Sequence, residues 1–143
     1  MAVNQRSSHA CNVAQLATER YALLGNAREF LDPIFSSGIT IAMRSASMAV
    51  ATLVRQLEGE TVDWNADYDQ PLRLGVDTFR VFVDAWYEGL FQDIIFFEGQ
   101  GSSVRDMISS ILAGYAWDTA NPFVAHPVRR MNTLAKFCQL EGA

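Results

Sequence analysis

Gly25-Asn26-Ala27-Arg28-Glu29-Phe30-Leu31-Asp32-Pro33-Ile34-Phe35-Ser36-Ser37-Gly38-Ile39 runs from the end of an apolar segment, through a polar turn, into the start of a helix. Glycine at 25 permits close backbone approach, and the Asn26 amide both donates and accepts. The first amides of the helix, around Ser37 to Ile39, have no partner within it and can point at negative charge. Ser36 and Ser37 are equally suited to capping that helix. Immediately before the stretch, Tyr21-Ala22-Leu23-Leu24 reads as a short buried strand ending at Gly25, although the rest of the chain offers few extended segments to pair with it.

Beyond the stretch the periodicity is helical. Ile39, Ala42, Met43, Ala46, Ala49, Val50, Leu53, Val54 and Leu57 form one broad apolar stripe, and Gly59 ends it. The alanines add little bulk, so this face suits either a neighbouring backbone or a planar ligand. Leu72, Val76, Phe79, Val83, Trp86, Leu90, Ile94 and Phe97 then predict a single long helix. Its opposite side carries two expected pairs, Arg73 with Asp77 and Arg80 with Asp84. Phe91 to Phe97 holds more large apolar groups than one face needs, and internal or interdomain packing is the expected cover. Gly99-Gln100-Gly101 separates this helix from a shorter one starting at Ser102-Ser103 and ending near Gly114. After a loop marked by Asn121-Pro122 and His126-Pro127, Val128, Met131, Leu134, Ala135 and Cys138 predict a last amphipathic helix.

Composition narrows the function. The 143 residues are 50% hydrophobic and 19% charged, which fits one folded unit. Eleven Lys and Arg against 16 Asp and Glu give a net charge of -5, and no basic-aromatic ladder occurs, so nucleic acid is not an expected partner. Cys11 and Cys138 are read as reduced thiols. With His9 and His126 the only histidines, no metal-ligand spacing occurs. Neither a secretory signal nor an uninterrupted apolar run long enough to span a bilayer is present, and a cytoplasmic location is expected. Glu29, Asp32 and His126 are isolated titratable groups, better read as surface or loop residues than as acid-base catalysts. Trp86 falls on the core stripe beside Tyr87, while Trp64 and Trp117 stand near helix breaks.

Leu24-Gly25-Asn26-Ala27 together with Phe30 to Ile39 resembles the second flavin-contact segment of flavin-dependent halogenases and related FAD monooxygenases. The likeness extends more weakly through Ala42, Ala49, the aromatic helix with Trp86, Tyr87 and Phe91, and Ile111 to Gly114. It implies FAD as cofactor. Gly25 and Asn26 would face its pyrophosphate and ribityl part, Asp32 and Pro33 would shape the loop beside it, and the Gly38 and Ile39 backbones would approach the isoalloxazine carbonyl edge. Ser36, Ser37 and Gly38 would hold halide. In intact relatives, reduced flavin and oxygen oxidise halide to an electrophilic halogen that attacks an electron-rich substrate.

The pattern also departs from the family. Asn26 replaces the usual aspartate, and Phe35 stands where tryptophan-type halogenases carry a catalytic glutamate. The GxGxxG turn of a dinucleotide-binding fold and the early catalytic lysine are absent. The implied fold class is mainly α: the helical carboxy-terminal part of a flavoprotein, with one short strand left from the FAD-binding sheet. Residues 1–59 would be the remnant of the FAD-binding domain, and 60–143 a helical substrate-side region. The implied function is that of a partial halogenase-like oxidoreductase needing an amino-terminal flavin domain or a second copy of itself. A helical scaffold or interaction module without catalysis, and part of a flavin-dependent hydroxylase, are the alternatives.

Overall fold

The structure, a computed structural model, describes residues 16–97, 99 and 101–141. Six α-helices follow in order among them: α1 (Ser37–Leu57), α2 (Gln70–Tyr87), α3 (Leu90–Phe96), α4 (Ser102–Leu112), α5 (Pro122–Ala125) and α6 (Pro127–Glu141). Single turns of 3-10 helix at Gly25–Ala27 and Pro33–Phe35 and a π-helical turn at Asn65–Asp69 join the first elements. His9 and Cys11 lie outside the described residues.

The mainly helical class stands, but the expected strand does not. Ala17 and Ala22 form one isolated antiparallel bridge, and no strand occurs among the described residues. The Thr18 N–H donates to the Tyr21 carbonyl and the Leu23 N–H to the Leu16 carbonyl, both at 2.8 Å, so the segment turns back on itself. Two such short runs without a third cannot sustain a sheet. Tyr21, expected inside, is half exposed.

Phe79 and Phe82 of α2, Phe91 and Ile94 of α3, Ile111 of α4, Phe123 of α5 and Met131 and Ala135 of α6 share one core, joined by Ile41 of α1. The longest sequence period is broken, because the helix expected over Leu72 to Phe97 stops at Tyr87 and restarts at Leu90. Gly89 takes a left-handed φ of 86° between them, a conformation that ends helices. The break lets α3 turn and pack along α6. Phe91 and Ile94 are thereby covered, while Ile95 and Phe96 stay open. Gly75 of α2 makes room for the Trp117 indole, which a Cβ there would meet at 2.1 Å.

Helix α1 faces the opposite way from its hydrophobic pattern. Ser37, Ile41, Ser45, Ala49 and Thr52 are inside, whereas Ile39, Met43 and Leu57 are 74%, 70% and 77% exposed. Small polar residues can face inward because two of their hydroxyls return to the helix itself: Ser45 donates to the Ala42 carbonyl at 2.9 Å and Thr52 to the Met48 carbonyl at 3.0 Å. By length and composition α1 is also the one helix among the described residues apolar enough to cross a membrane. Its polar side is packed against the rest of the chain.

Candidate cofactor site

The loop before α1 is held from below by four separate contacts. Tyr68 is fully buried and its hydroxyl donates to the Leu23 carbonyl at 2.6 Å. The Gly25 N–H donates to the Ser45 hydroxyl at 2.9 Å, and Gly25, at φ 52°, sits so near α1 that a Cβ would come within 3.0 Å of the Ala42 Cβ. Arg28, only 1% exposed, pairs with Asp69 at 2.9 Å, and Asp69 also accepts from Arg73 at 2.8 Å. Glu29 is buried and pairs with Arg80 at 2.7 Å.

These pairs replace the expected ones. Arg73 reaches back to Asp69 rather than forward to Asp77, Arg80 binds Asp77 and Glu29, and Asp84 is exposed. Burial alone would lower the Arg80 pKa, but hydrogen bonding and charge from Glu29, with Asp77 and Asp84 adding, hold it above its ordinary value. Burial likewise pushes the Tyr68 phenol up, opposed by the Arg28 charge. Glu29 thus serves, from the loop, as a buried counterion to an arginine of α2.

Above this clamp an open groove of about 500 Å³ runs between the loop and the start of α1, lined by Leu24, Gly25, Asn26, Gly38, Ile39, Ala42 and Ala46. Four of the six residues singled out for cofactor contact, Gly25, Asn26, Gly38 and Ile39, therefore meet in one place. A Cβ on Gly38 would lie 3.6 Å from the Asn26 Oδ1, so the Asn26 amide borders the first turn of α1. The other two, Asp32 and Pro33, stand outside the groove. Asp32 caps the Pro33–Phe35 turn by accepting from the Ile34 N–H at 3.0 Å, and accepts from the Tyr87 hydroxyl at 2.8 Å. That hydrogen bond raises the Tyr87 pKa.

Of the three residues singled out for halide contact, Gly38 lines the groove and Ser36 takes a left-handed φ of 52° without capping α1 through its side chain. Ser37 is 2% exposed, and its hydroxyl has no hydrogen-bond partner. The first amides of α1 thus lack a side-chain acceptor beside the groove. Phe35 stands edge-on to Trp86 and Phe91, so the position that departs from the glutamate pattern belongs to the core. His126 is exposed at the end of α5. Trp64 donates to Gln56 at 2.7 Å, and Trp117 donates to the Leu72 carbonyl at 3.2 Å beneath the Arg44 guanidinium. A second groove, of about 280 Å³, shares Leu24 and Ala46 with the first and continues along α1 past Tyr21, Val50 and Leu53.

Tyr68, Asp69 and Ser45 were not singled out by spacing, since each acts on a segment 20 or more residues away. A polar residue falling on the inward side of α1 was the only local signal, at Ser45.

The overall likeness is to part of a flavoprotein. The fold matches that of a flavoprotein/dehydrogenase from Cytophaga hutchinsonii with a TM-score of 0.86 and 43% identity, over 90% of this chain and 32% of that one. Two curated proteins are also distantly similar. A flavin-dependent halogenase, armH5, of Armillaria mellea is 25% identical over 57% of this chain and 16% of its own length. The 1H-pyrrole-2-carbonyl-[peptidyl-carrier protein] chlorinase of Pseudomonas fluorescens is 24% identical over 58% of this chain and 19% of its own. No family model matches the sequence. The chain is distantly related to flavin-dependent halogenases and shares a flavoprotein fold, while spanning about a third of the solved chain and under a fifth of either curated relative.

Proposed function

We propose that this chain is a helical module forming one wall of a flavin site, without catalysis of its own, in a flavoprotein oxidoreductase whose phosphate-binding turn lies on another segment. The convergence of Gly25, Asn26, Gly38 and Ile39 on one open groove carries this reading. The groove fits the redox end of FAD: the half-buried Gly38 leaves the backbone approachable, Asn26 offers both donor and acceptor, and uncapped amides of α1 favour the negative charge of a reduced ring. Gly25 and Asn26 would border the pyrophosphate and ribityl part, while the GxGxxG turn that binds a diphosphate in dinucleotide folds does not occur in this sequence. When bound, FAD supplies the redox chemistry. This chain's residues would position the ring edge and exclude water, with Asp32 and Pro33 fixing the loop beside it. Residues 1–59 belong to the cofactor side and 60–143 to a helical support that could border a substrate. The setting is cytoplasmic, where the buried Cys138 thiol stays reduced.

The test is a titration of the purified chain with FAD, followed by flavin fluorescence, alone and with the part of the Cytophaga hutchinsonii flavoprotein that lies outside the match. Saturable binding only with both parts is the expected result. Binding by this chain alone would contradict the divided site, and binding by neither preparation would leave a scaffold without flavin.

The halogenase relatives favour a second, narrower reading, in which Ser36, Ser37 and Gly38 hold halide beside the flavin. The orphan Ser37 hydroxyl suits an anion acceptor. Halide-dependent product formation by the assembled parts, lost in Ser37→Ala, would support it; hydroxylation or substrate dehydrogenation without halide would remove it.

A further inference from the structure

Helices α4, α5 and α6 enclose a further groove of about 290 Å³, which shares no residue with the two beside α1. Val104 and Met107 of α4 line it on one side and Arg130, Leu134 and Phe137 of α6 on the other, with the buried Phe123 of α5 between them. The fold builds this shape by itself. Helix α5 packs against both neighbours, and Asn121 pins it to α4: the Asn121 amide donates to the Met107 carbonyl at 2.8 Å and the Ser110 hydroxyl at 3.1 Å, while its oxygen accepts from the Phe123 N–H at 3.0 Å. An edge-on contact with Phe97, 6.0 Å between ring centres, steadies Phe137.

Polarity is confined to one end. Of the lining residues only Arg130 is charged and only Thr133 is otherwise polar, and the Thr133 hydroxyl is spent on the Arg129 carbonyl at 2.8 Å. The ion pairs among the described residues engage Arg28, Arg55, Arg73 and Arg80 and leave Arg130 without a carboxylate. Although the chain is acidic, α6 carries Arg129, Arg130 and Lys136 against one acid, Glu141 at its far end. Arg130 also lies near the amino-terminal, positive end of that helix. From residue 130 to residue 137 the groove runs about 10 Å along the axis, at 1.5 Å per residue.

We propose that this groove binds a free aliphatic carboxylate of medium length, its head on Arg130 and its tail along Leu134 and Met107 toward Phe137. An unpaired guanidinium selects an anion, and a carboxylate meets its fork of donors in two parallel bonds. The apolar remainder of the lining offers a tail nothing to hydrogen-bond, so burial of hydrocarbon supplies the rest of the affinity. The volume lies at the low end of small-ligand sites, about 300–1,000 Å³, and cannot admit a helix about 10–12 Å across. Because the site shares no residue with the cofactor groove, it is independent of the flavin reading.

The test is an NMR titration of the isotope-labelled full chain with octanoate, octan-1-ol and octylammonium. Octanoate should shift the amides around Met107, Phe123 and Leu134 saturably, and the neutral and cationic analogues should bind at least about tenfold more weakly. Arg130→Gln, at an exposed position, should lose at least about tenfold in octanoate affinity. Thr133→Trp, which fills the groove from its exposed rim, should abolish saturation, and Arg129→Gln, outside the lining, should bind like the parent. Absence of saturable shifts, shifts centred on α1, octan-1-ol binding as tightly as octanoate, or full affinity in Arg130→Gln or Thr133→Trp overturns the proposal. An equal loss in Arg129→Gln, the mark of diffuse charge, or Arg130-dependent flotation with phosphatidylcholine–phosphatidylglycerol vesicles, the mark of a lipid surface, also overturns it.

Discussion

Asp69 is the residue on which the loop before α1 depends most, because it neutralises a guanidinium that has almost no access to water. Asp69→Ala leaves Arg28 buried and unpaired, and should cost about 3–5 kcal/mol in urea unfolding. Arg28→Met should cost less, since Asp69 keeps Arg73 as partner. A larger loss for Arg28→Met than for Asp69→Ala would contradict this account. Tyr68 acts on the same loop through pH. Its folded-state pKa is raised, so the stability it contributes is complete below its ordinary value of about 10 and is lost as pH climbs through the higher folded value. Tyr68→Phe forfeits the bond to the Leu23 carbonyl, about 0.5–1.5 kcal/mol at neutral pH. The urea midpoints of parent and variant should therefore converge above about pH 10, where only the parent pays for ionising a buried phenol.

Among the elements, the break between α2 and α3 offers the cleanest test of local conformation. Nothing lies within 4 Å of a Cβ placed on Gly89, so Gly89→Ala introduces backbone strain without a clash. The left-handed φ should cost about 1–2 kcal/mol, read from thermal unfolding, and a neutral or stabilising outcome would show that α2 and α3 tolerate merging. This break was legible as a glycine but not as a boundary, because the apolar period runs unbroken across Tyr87 to Leu90. The period of α1 was equally misleading about direction. Its apolar stripe reads as a core face, and only the surrounding elements reveal that Ser45 and Thr52 hold the inside. Hydrophobic spacing specifies that a face will be covered, not by which part of a protein. The α4 and α6 helices, by contrast, end up with the expected Ile111, Met131, Ala135 and Cys138 inside, while Val128 of the same expected stripe is exposed and Leu134 half-buried.

At the scale of the whole molecule, the meeting of four of the groove's seven lining residues was readable because they come from two short runs, Gly25-Asn26 and Gly38-Ile39, around one turn. The clamp beneath it was not, because ion pairs between Arg28 and Asp69 or Glu29 and Arg80 depend on how distant segments meet. The strand expected at Tyr21 to Leu24 failed for a related reason: apolar character alone cannot supply the neighbours that a sheet requires. The outward side of α1 has a further consequence inside a cell. A ridge of oily side chains left bare is what chaperones and proteases grip, so copies of this chain should be culled. Val50→Arg with Leu53→Arg, which interrupts the ridge at two exposed positions, should lengthen the half-life in a pulse-chase, and unchanged turnover would contradict this.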